Sequence, residues 1–469
     1  MQHRGAKQLS ESVVLIIGAG PAGLSAGLEL CRKGAHPLVF ETESQVGGLS
    51  KTYRYKDYYF DIGGHRFFTK IKEVDRLWHE LLAEEFRTRP RLSRIYYHNR
   101  YFHYPLQLRD AMFGLGAMQS VRVFGSFLWA RILPRWPEIS FEDWVSNRFG
   151  RSLYDIFFRS YTEKVWGIPS NELSADWASQ RIKDLDFVKA ALNALGIIGG
   201  KGSHTLADQF TYPRLGPGQM YETMARQIGD GGGTVLLSRP VCDVVHEGGR
   251  IVAVHAGNES FEGGHLISSM PIDQLVRCMK PEPPPEVLAA AAGLRYRSII
   301  TAGVIAEQRE ICPDNWIYLP SPDVKAGRLQ VYRNWSPDMV PVESMSTVGL
   351  EYFTSVREKL WTADDDEILA IARADLDRLG LIPEKNIVDG CVKRYEQAYP
   401  IYDIGYRKKL RTLREYLGSF ANLQCIGRAG QFRYNNMDHS VMTGLFAARR
   451  IFGENLDPWM VNTDGGYLG

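Results

Sequence analysis

The chain has 469 residues, 44% of them apolar and 23% charged, and 56 basic against 54 acidic side chains leave a net charge of +2. This is the balance of a globular protein with a large core, and at roughly 150 residues per domain it allows two or three domains. It excludes a disordered chain and a strongly basic surface, so no nucleic-acid partner is expected.

The cysteines, Cys31, Cys242, Cys278, Cys312, Cys391 and Cys425, are scattered without a C-x-x-C pair. That argues against a zinc site or a disulfide framework. It predicts buried free thiols in a reducing compartment, a cytoplasmic location and no bound metal. The first twelve residues read as polar and the apolar run after them as a strand, so no secretory leader is expected. No stretch of about 18 uncharged apolar residues occurs, so no transmembrane segment is expected. Met112 to Trp136 comes nearest, but Arg122, Arg131 and Arg135 interrupt it. It reads as one or two amphipathic helices, with a role at a membrane surface as one reading.

In chain order, residues 13–41 read as strand, helix and strand. Val13 to Ile17 form the first strand, and a helix from Pro21 places Leu24, Leu28 and Cys31 on one face. Gly34 ends the helix, and 37–41 form the second strand. Alternation through Ile95, Tyr97, Tyr101 and His103 predicts strands over 92–104. Residues 107–200 turn helical, with Phe141-Glu142-Asp143-Trp144-Val145 opening one segment. Thr234 to Leu237 and Ile251 to His255 read as strands flanking a turn at Gly248-Gly249. Residues 298–354 are strand-rich, 364–379 helical, and the tail over 436–453 helical again.

Gly18-Ala19-Gly20-Pro21-Ala22-Gly23 has G-x-G-x-x-G spacing after an apolar strand and at a helix start, and Glu41 closes the next strand. In that context the spacing reads as a dinucleotide fingerprint. Gly18 permits the tight turn, Gly20 the backbone's approach to a pyrophosphate, and Gly23 close helix–strand packing. The helix N-terminus offers N–H groups to the phosphates, and Glu41 an acceptor to ribose hydroxyls. Gly47 and Gly48 follow, and a loop so close to the ribose-binding acid suits FAD. The run resembles the second half of the FAD signature of the amine oxidase and UDP-galactopyranose mutase superfamily. There a valine such as Val241 gives backbone hydrogen bonds to adenine. Gly63-Gly64-His65 suggests backbone passing a flat group beside a neutral imidazole. Gly427 to Ser440 places Arg428 after a strand and Asp438 in an Asx-rich helix start, there offering free N–H groups to a flavin edge.

Further along, "YPLQ" at 104–107, "YTEKVWGIP" at 161–169, "WIYLP" at 316–320, "YRNWSP" at 332–337 and "GRAGQFRYNNMDHS" at 427–440 make the resemblance more specific. The chain resembles the UDP-galactopyranose mutases, nearer the eukaryotic type. It departs from their pattern at Arg66, Leu106 and Thr162.

The resemblance implies an α/β fold. A Rossmann-like FAD-binding domain would be built from 1–90, 230–275 and 420–469. A helical domain over 105–204 would be inserted in it. A β-sheet substrate domain would take 91–104, 205–229 and 276–419. It implies interconversion of UDP-galactopyranose and UDP-galactofuranose on reduced FAD, through a flavin N5–sugar adduct and with no net redox. Arg181 and Arg328 would bind the diphosphate, with Tyr318, Tyr399 and Tyr434 as phenols near it and the sugar. Tyr104 and Gln107 would contact uracil, with Tyr161 and Trp166 as aromatic walls. His65 would sit beside the flavin and Arg428 against the cofactor. A nucleotide sugar is the expected partner, NAD(P)H a candidate reductant and a homo-oligomer a candidate assembly. The same FAD motifs also fit a redox flavoenzyme of the amine oxidase, protoporphyrinogen oxidase or desaturase type. That alternative predicts an apolar channel in place of a diphosphate site.

Overall fold

A computed structural model describes residues 13–104, 117–181 and 209–462. The glycine fingerprint lies where its pattern places it. The strand Val14–Ile17 is wholly buried, and the helix Pro21–Arg32 begins directly after Gly20. Proline at the helix start loses no hydrogen bond there. The strand is central in a five-stranded parallel sheet ordered Leu423–Cys425, His265–Ser268, Val14–Ile17, Leu38–Phe40, Thr234–Leu236. Strands far apart in sequence thus meet at one switch point, where an open α/β sheet presents its ligand crevice.

Helix Pro21–Arg32 is covered by helix Met437–Ile451. The two approach through small residues. A Cβ on Gly444 would stand 2.1 Å from the Ala22 carbonyl and 2.3 Å from Ser25 Oγ, and Ser25 Oγ donates to the Val441 carbonyl at 3.0 Å. Backbone cannot yield as a flexible side chain does. We therefore expect Gly444→Val to destabilise the protein by at least about 3 kcal/mol. Urea unfolding would show it, and an unchanged midpoint would contradict this packing.

A second sheet has seven strands, ordered Ile387–Pro400, Tyr296–Ala306, Ser346–Thr354, Arg328–Val331, Trp316–Tyr318, Ser93–Tyr97, Arg100–His103. All neighbours are antiparallel except Trp316–Tyr318 with Ser93–Tyr97. Its three longest strands pack together and carry the apolar core of this region, with Ser346–Thr354 buried at every position. Helices Ala117–Ile132, Phe141–Phe149, Ser160–Trp166 and Ala175–Arg181 follow strand Arg100–His103 in sequence and precede Thr234–Leu236. Helix Phe141–Phe149 starts as its sequence suggests, with Ser140 and Asp143 forming a reciprocal capping box.

Three expectations need correction. The Gly248-Gly249 turn joins Val241–Glu247 to Arg250–Ala256 in a four-stranded sheet, while Thr234–Leu236 pairs in parallel with Leu38–Phe40. Local alternation does not distinguish a hairpin arm from a parallel strand whose partner is distant. The strand-rich stretch over 298–354 is interrupted, because the strand Arg328–Val331 is followed by a helical turn at Tyr332–Trp335. The six cysteines are free as expected, but only Cys425 is buried and Cys242 is exposed.

Candidate active site

The first part of the site is a cradle of backbone. Gly18 has φ +95°, and a side chain there would collide with Ser269 Oγ at 2.2 Å. A Cβ on Gly23 would lie 1.9 Å from the Gly18 carbonyl, so turn and helix are in direct contact. Gly48, at φ +54°, faces Gly20, and a Cβ on Gly20 would stand 3.7 Å from the Gly48 Cα. No side chain caps the helix start at Gly20. The leading N–H groups of a helix lack intrahelical partners and carry the positive end of its dipole. The cradle therefore has the form and charge to receive a pyrophosphate, with no side chain in the way.

Glu41 stands beside the cradle, but its carboxylate already accepts from Ala19 N at 2.7 Å and Glu43 N at 3.0 Å. It braces the loop as well as offering acceptors. Val241 is buried in the same apolar cluster as Phe40 and opens a strand two residues after Arg239, whose N–H donates to the Glu41 carbonyl at 2.8 Å. Gly47 N donates to the Ala19 carbonyl at 2.8 Å, which fixes the second glycine loop against the first.

The second part is the loop Asp61 to His65, held by polar bonds at its root. Asp61 is buried and pushed up to about 7, with Tyr212 and Thr52 donating to its carboxylate and opposing the shift. Its carbonyl accepts from the Tyr332 hydroxyl at 2.8 Å, and the Ile62 carbonyl accepts from Thr301 Oγ1 at 2.8 Å. Further on, Thr69 Oγ1 donates to Asp438 at 2.8 Å and ties this segment to helix Met437–Ile451. Asp438 also accepts its neighbour His439 N at 2.8 Å, so its carboxylate organises the helix start.

His65 Nδ1 is buried without a protein hydrogen-bond partner. Burial pushes the imidazole down to about 3, and the Arg428 and Arg328 cations add to the shift. The ring is neutral at pH 7. An unfolded histidine titrates near 6.5. The stability from a neutral His65 is therefore full above about pH 6.5 and is lost as pH falls toward the folded value. Part of the ring's surface still meets water, which holds the loss to about 1–2 kcal/mol by about pH 4.5. We expect His65→Gln to lack this component in urea melts at the two pH values. An identical pH dependence in both proteins would contradict it.

The third part is a row across the seven-stranded sheet. Thr301 pairs with Glu351, Glu351 with Arg328, and Arg328 with Tyr318. Glu351 is fully buried and grips Arg328 with two parallel bonds, Nε to Oε1 at 2.6 Å and Nη2 to Oε2 at 2.5 Å. Gln330 Nε2 donates to the same carboxylate at 2.8 Å. Burial opposes the Arg328 charge, yet Glu351 holds its pKa well above the ordinary value. A Cβ on Gly63 would lie 3.6 Å from Arg328 Nη2, 3.7 Å from His65 Cε1 and 3.8 Å from Glu351 Oε2. The glycine is thus where backbone, imidazole and ion pair converge.

Aromatic rings surround this row. Tyr104 and Tyr318 lie 4.7 Å apart between centroids, and Tyr161 meets Tyr318 edge-on at 5.9 Å. Tyr399 and Tyr434 stack at 5.6 Å, and Trp166 closes on each at 6.3 Å. Arg428 stands over both phenols, 5.3 Å from Tyr399 and 4.6 Å from Tyr434, with Nε donating to the Asn435 carbonyl at 2.9 Å. Burial pushes the Tyr161 and Tyr399 hydroxyls up, so both stay protonated donors. Tyr104 is pushed up chiefly by Tyr318.

The structure thus brings His65, Arg328, Tyr104, Tyr161, Trp166, Tyr318, Tyr399, Tyr434 and Arg428 into one neighbourhood. Gln107 and the side chain of Arg181 lie outside the described residues. Sequence reasoning missed Glu351, Gln330, Arg91 and Trp177. Arg91 stands 5.7 Å from the Tyr104 ring, and Trp177 meets Tyr434 at 4.8 Å. A lone glutamate inside the apolar run Ser346 to Thr354 was a usable signal, since a charge buried in a strand requires a partner. Among the described residues no cluster suited to a metal ion occurs, and no helix is long and apolar enough to cross a membrane.

The structure of reduced UDP-galactopyranose mutase superposes with a TM-score of 0.84 over 97% of this chain and 100% of that one, at 24% identity. Cyclohexylamine oxidase from Brevibacterium oxydans IH-35A gives 0.66 over 94% and 98%, at 16% identity. At such identities the likeness is one of fold. Among curated proteins, L-amino acid oxidase Cdc18 from Crotalus durissus cumanensis is 47% identical over 61 residues, 13% of this chain and 12% of that one. The match therefore spans only a small part of that relative. The family model of the flavin containing amine oxidoreductases matches residues 21–452. From helix Pro21–Arg32 to the C-terminal helix that covers it, the chain belongs to the flavin containing amine oxidoreductase family.

Proposed function

We propose that this protein is an FAD-dependent sugar-nucleotide mutase, interconverting UDP-galactopyranose and UDP-galactofuranose with the flavin reduced. The observation that carries the reading is the buried Arg328–Glu351 pair in register with Tyr318 and ringed by phenols. A guanidinium held in fixed orientation by Glu351 among hydroxyl donors is placed to hydrogen-bond a diphosphate.

FAD fits the chain's own residues. Gly18, Gly20, Gly23, Gly47 and Gly48 would hold its pyrophosphate, Glu41 its ribose and Val241 its adenine. Gly64, His65, Arg428 and Asp438 would flank the ring. The orphaned His65 Nδ1 is the buried polar atom for which a bound group would supply a partner. Reduced flavin supplies an electron-rich nucleophile to the anomeric carbon.

The protein's part is binding, orientation and charge. Arg328, oriented by Glu351, would donate to the oxygens of the diphosphate as it leaves, and Arg181 would join it in keeping the group in place for recapture. Tyr318, Tyr399 and Tyr434 would donate to its oxygens. Tyr104 and Gln107 would hold the uracil between Tyr161 and Trp166. His65, uncharged, would accept or donate a hydrogen bond without competing for the phosphate. The FAD-binding, helical and sheet regions would act as three domains around this site, in a cytoplasmic protein reduced by NAD(P)H and free to form a homo-oligomer.

A second reading, an oxidoreductase of the amine oxidase type, draws support from the family itself and from the oxidases it resembles. One experiment separates them. The dithionite-reduced protein is incubated with UDP-galactofuranose and the nucleotide sugars are resolved by chromatography. The mutase reading expects UDP-galactopyranose from reduced protein alone. No conversion, together with oxygen consumption on an amine, would favour the oxidase.

A further inference from the structure

Among the described residues, helix Ala117–Ile132 turns its apolar face away from the rest of the protein. Its inner side docks on the helical region. Gly150, at φ +82°, admits it so closely that a Cβ there would stand 2.7 Å from Phe127 N, and Ser126 Oγ accepts from Ser152 N at 3.0 Å. Val123 packs on the core from the same side. The outer side carries Met118, Val121, Phe124, Leu128, Trp129 and Ile132, all exposed, Met118 to 88%. Leu133, Trp136 and Ile139 continue it beyond the helix end, and Trp136 is also 88% exposed.

At about 100° per residue these outer side chains fill one sector of about 140°. Arg122 stands at one edge of that sector and Arg131 at the other, both exposed. Residues 111–137 contain Arg122, Arg131 and Arg135 and no acidic residue. Arg135 pairs with Glu142 at 3.0 Å, and Arg131 lies over the Phe127 ring at 5.3 Å while staying, like Arg122, exposed at the rim.

We propose that this face seats the protein on an anionic membrane surface. A helix lying in a bilayer interface presents this arrangement, with apolar side chains toward the acyl region, cationic edges at the headgroups and tryptophans between. A second copy of the chain fits less well. A twofold contact would set the arginine edges against each other with no acidic residue between them. The inference is independent of the reaction, because the face belongs to none of the site residues above.

Flavin-loaded full-length protein would be floated with vesicles of phosphatidylcholine containing about a third phosphatidylglycerol, and with phosphatidylcholine alone. We expect at least roughly tenfold more protein on the anionic vesicles, falling as salt is raised. Leu128→Glu with Ile132→Glu should abolish binding, and Arg122→Glu with Arg131→Glu should reduce it to the neutral-vesicle level. Both variants should keep their flavin, which reports the fold. Absence of binding, equal binding to both vesicles, or variants that float like wild type would each overturn the proposal. So would a light-scattering mass that is dimeric for wild type and monomeric for the Leu128→Glu, Ile132→Glu protein.

Discussion

Gly20→Val should purify folded and colourless. The position tolerates a Cβ sterically, since its nearest neighbour would be the Gly48 Cα at 3.7 Å, an ordinary contact. Little of the fold therefore depends on the absence of that carbon. The branches of valine, however, would project into the groove between the two glycine loops, where backbone must meet a pyrophosphate. We expect flavin retention to fall at least roughly a hundredfold while the thermal midpoint of the apoprotein stays within a few degrees. Gly23→Val makes the contrast. Its Cβ would overlap the Gly18 carbonyl at 1.9 Å, so it should lose the fold along with the cofactor. A yellow, stoichiometrically loaded Gly20→Val protein would contradict the cradle.

The second large effect is at Arg328. Simple removal is a poor probe, because Arg328→Ala leaves the fully buried Glu351 carboxylate with Gln330 as its remaining polar partner. Breaking a buried pair from one side costs about 3–5 kcal/mol. Any loss of nucleotide binding would then be confounded with unfolding. Arg328→Met combined with Glu351→Gln removes both charges and keeps the volume. We expect this protein to retain FAD and to bind UDP at least roughly tenfold more weakly, about 1.4 kcal/mol. Arg328→Lys should fall between, having the charge without the two-pronged geometry. Fluorescence titration with UDP measures all three. Unchanged affinity in the doubly neutral protein would remove Arg328 from any role with a diphosphate.

The glycine cradle was legible because its parts are neighbours in sequence. One strand, one turn and one helix carry Gly18, Gly20 and Gly23, and their spacing states the geometry. What Glu41 does was only half legible. Its place at the strand end follows from the pattern, but the bonds to Ala19 N and Glu43 N depend on how the loops close. The row Thr301, Glu351, Arg328 and Tyr318 could not be read from sequence, because each member lies on a different strand and register is set by packing over long separations. Motif resemblance named Arg328 and Tyr318 but not the partner that fixes the guanidinium. The helix over 117–132 was legible as amphipathic from its apolar run and its three arginines, but the direction its apolar side faces was not, because that depends on which neighbours pack on Val123 and Ser126.

In the proposed enzyme the phenol-ringed Arg328–Glu351 row faces the flavin held by the cradle. The most direct measurement is a crystal structure of the dithionite-reduced, flavin-loaded protein soaked with UDP. It should show the diphosphate within hydrogen-bond reach of Arg328 and at least one of Tyr318, Tyr399 and Tyr434, on the side of the flavin ring nearest His65. Diphosphate density bound elsewhere, or a flavin ring remote from His65 and Arg328, would contradict it.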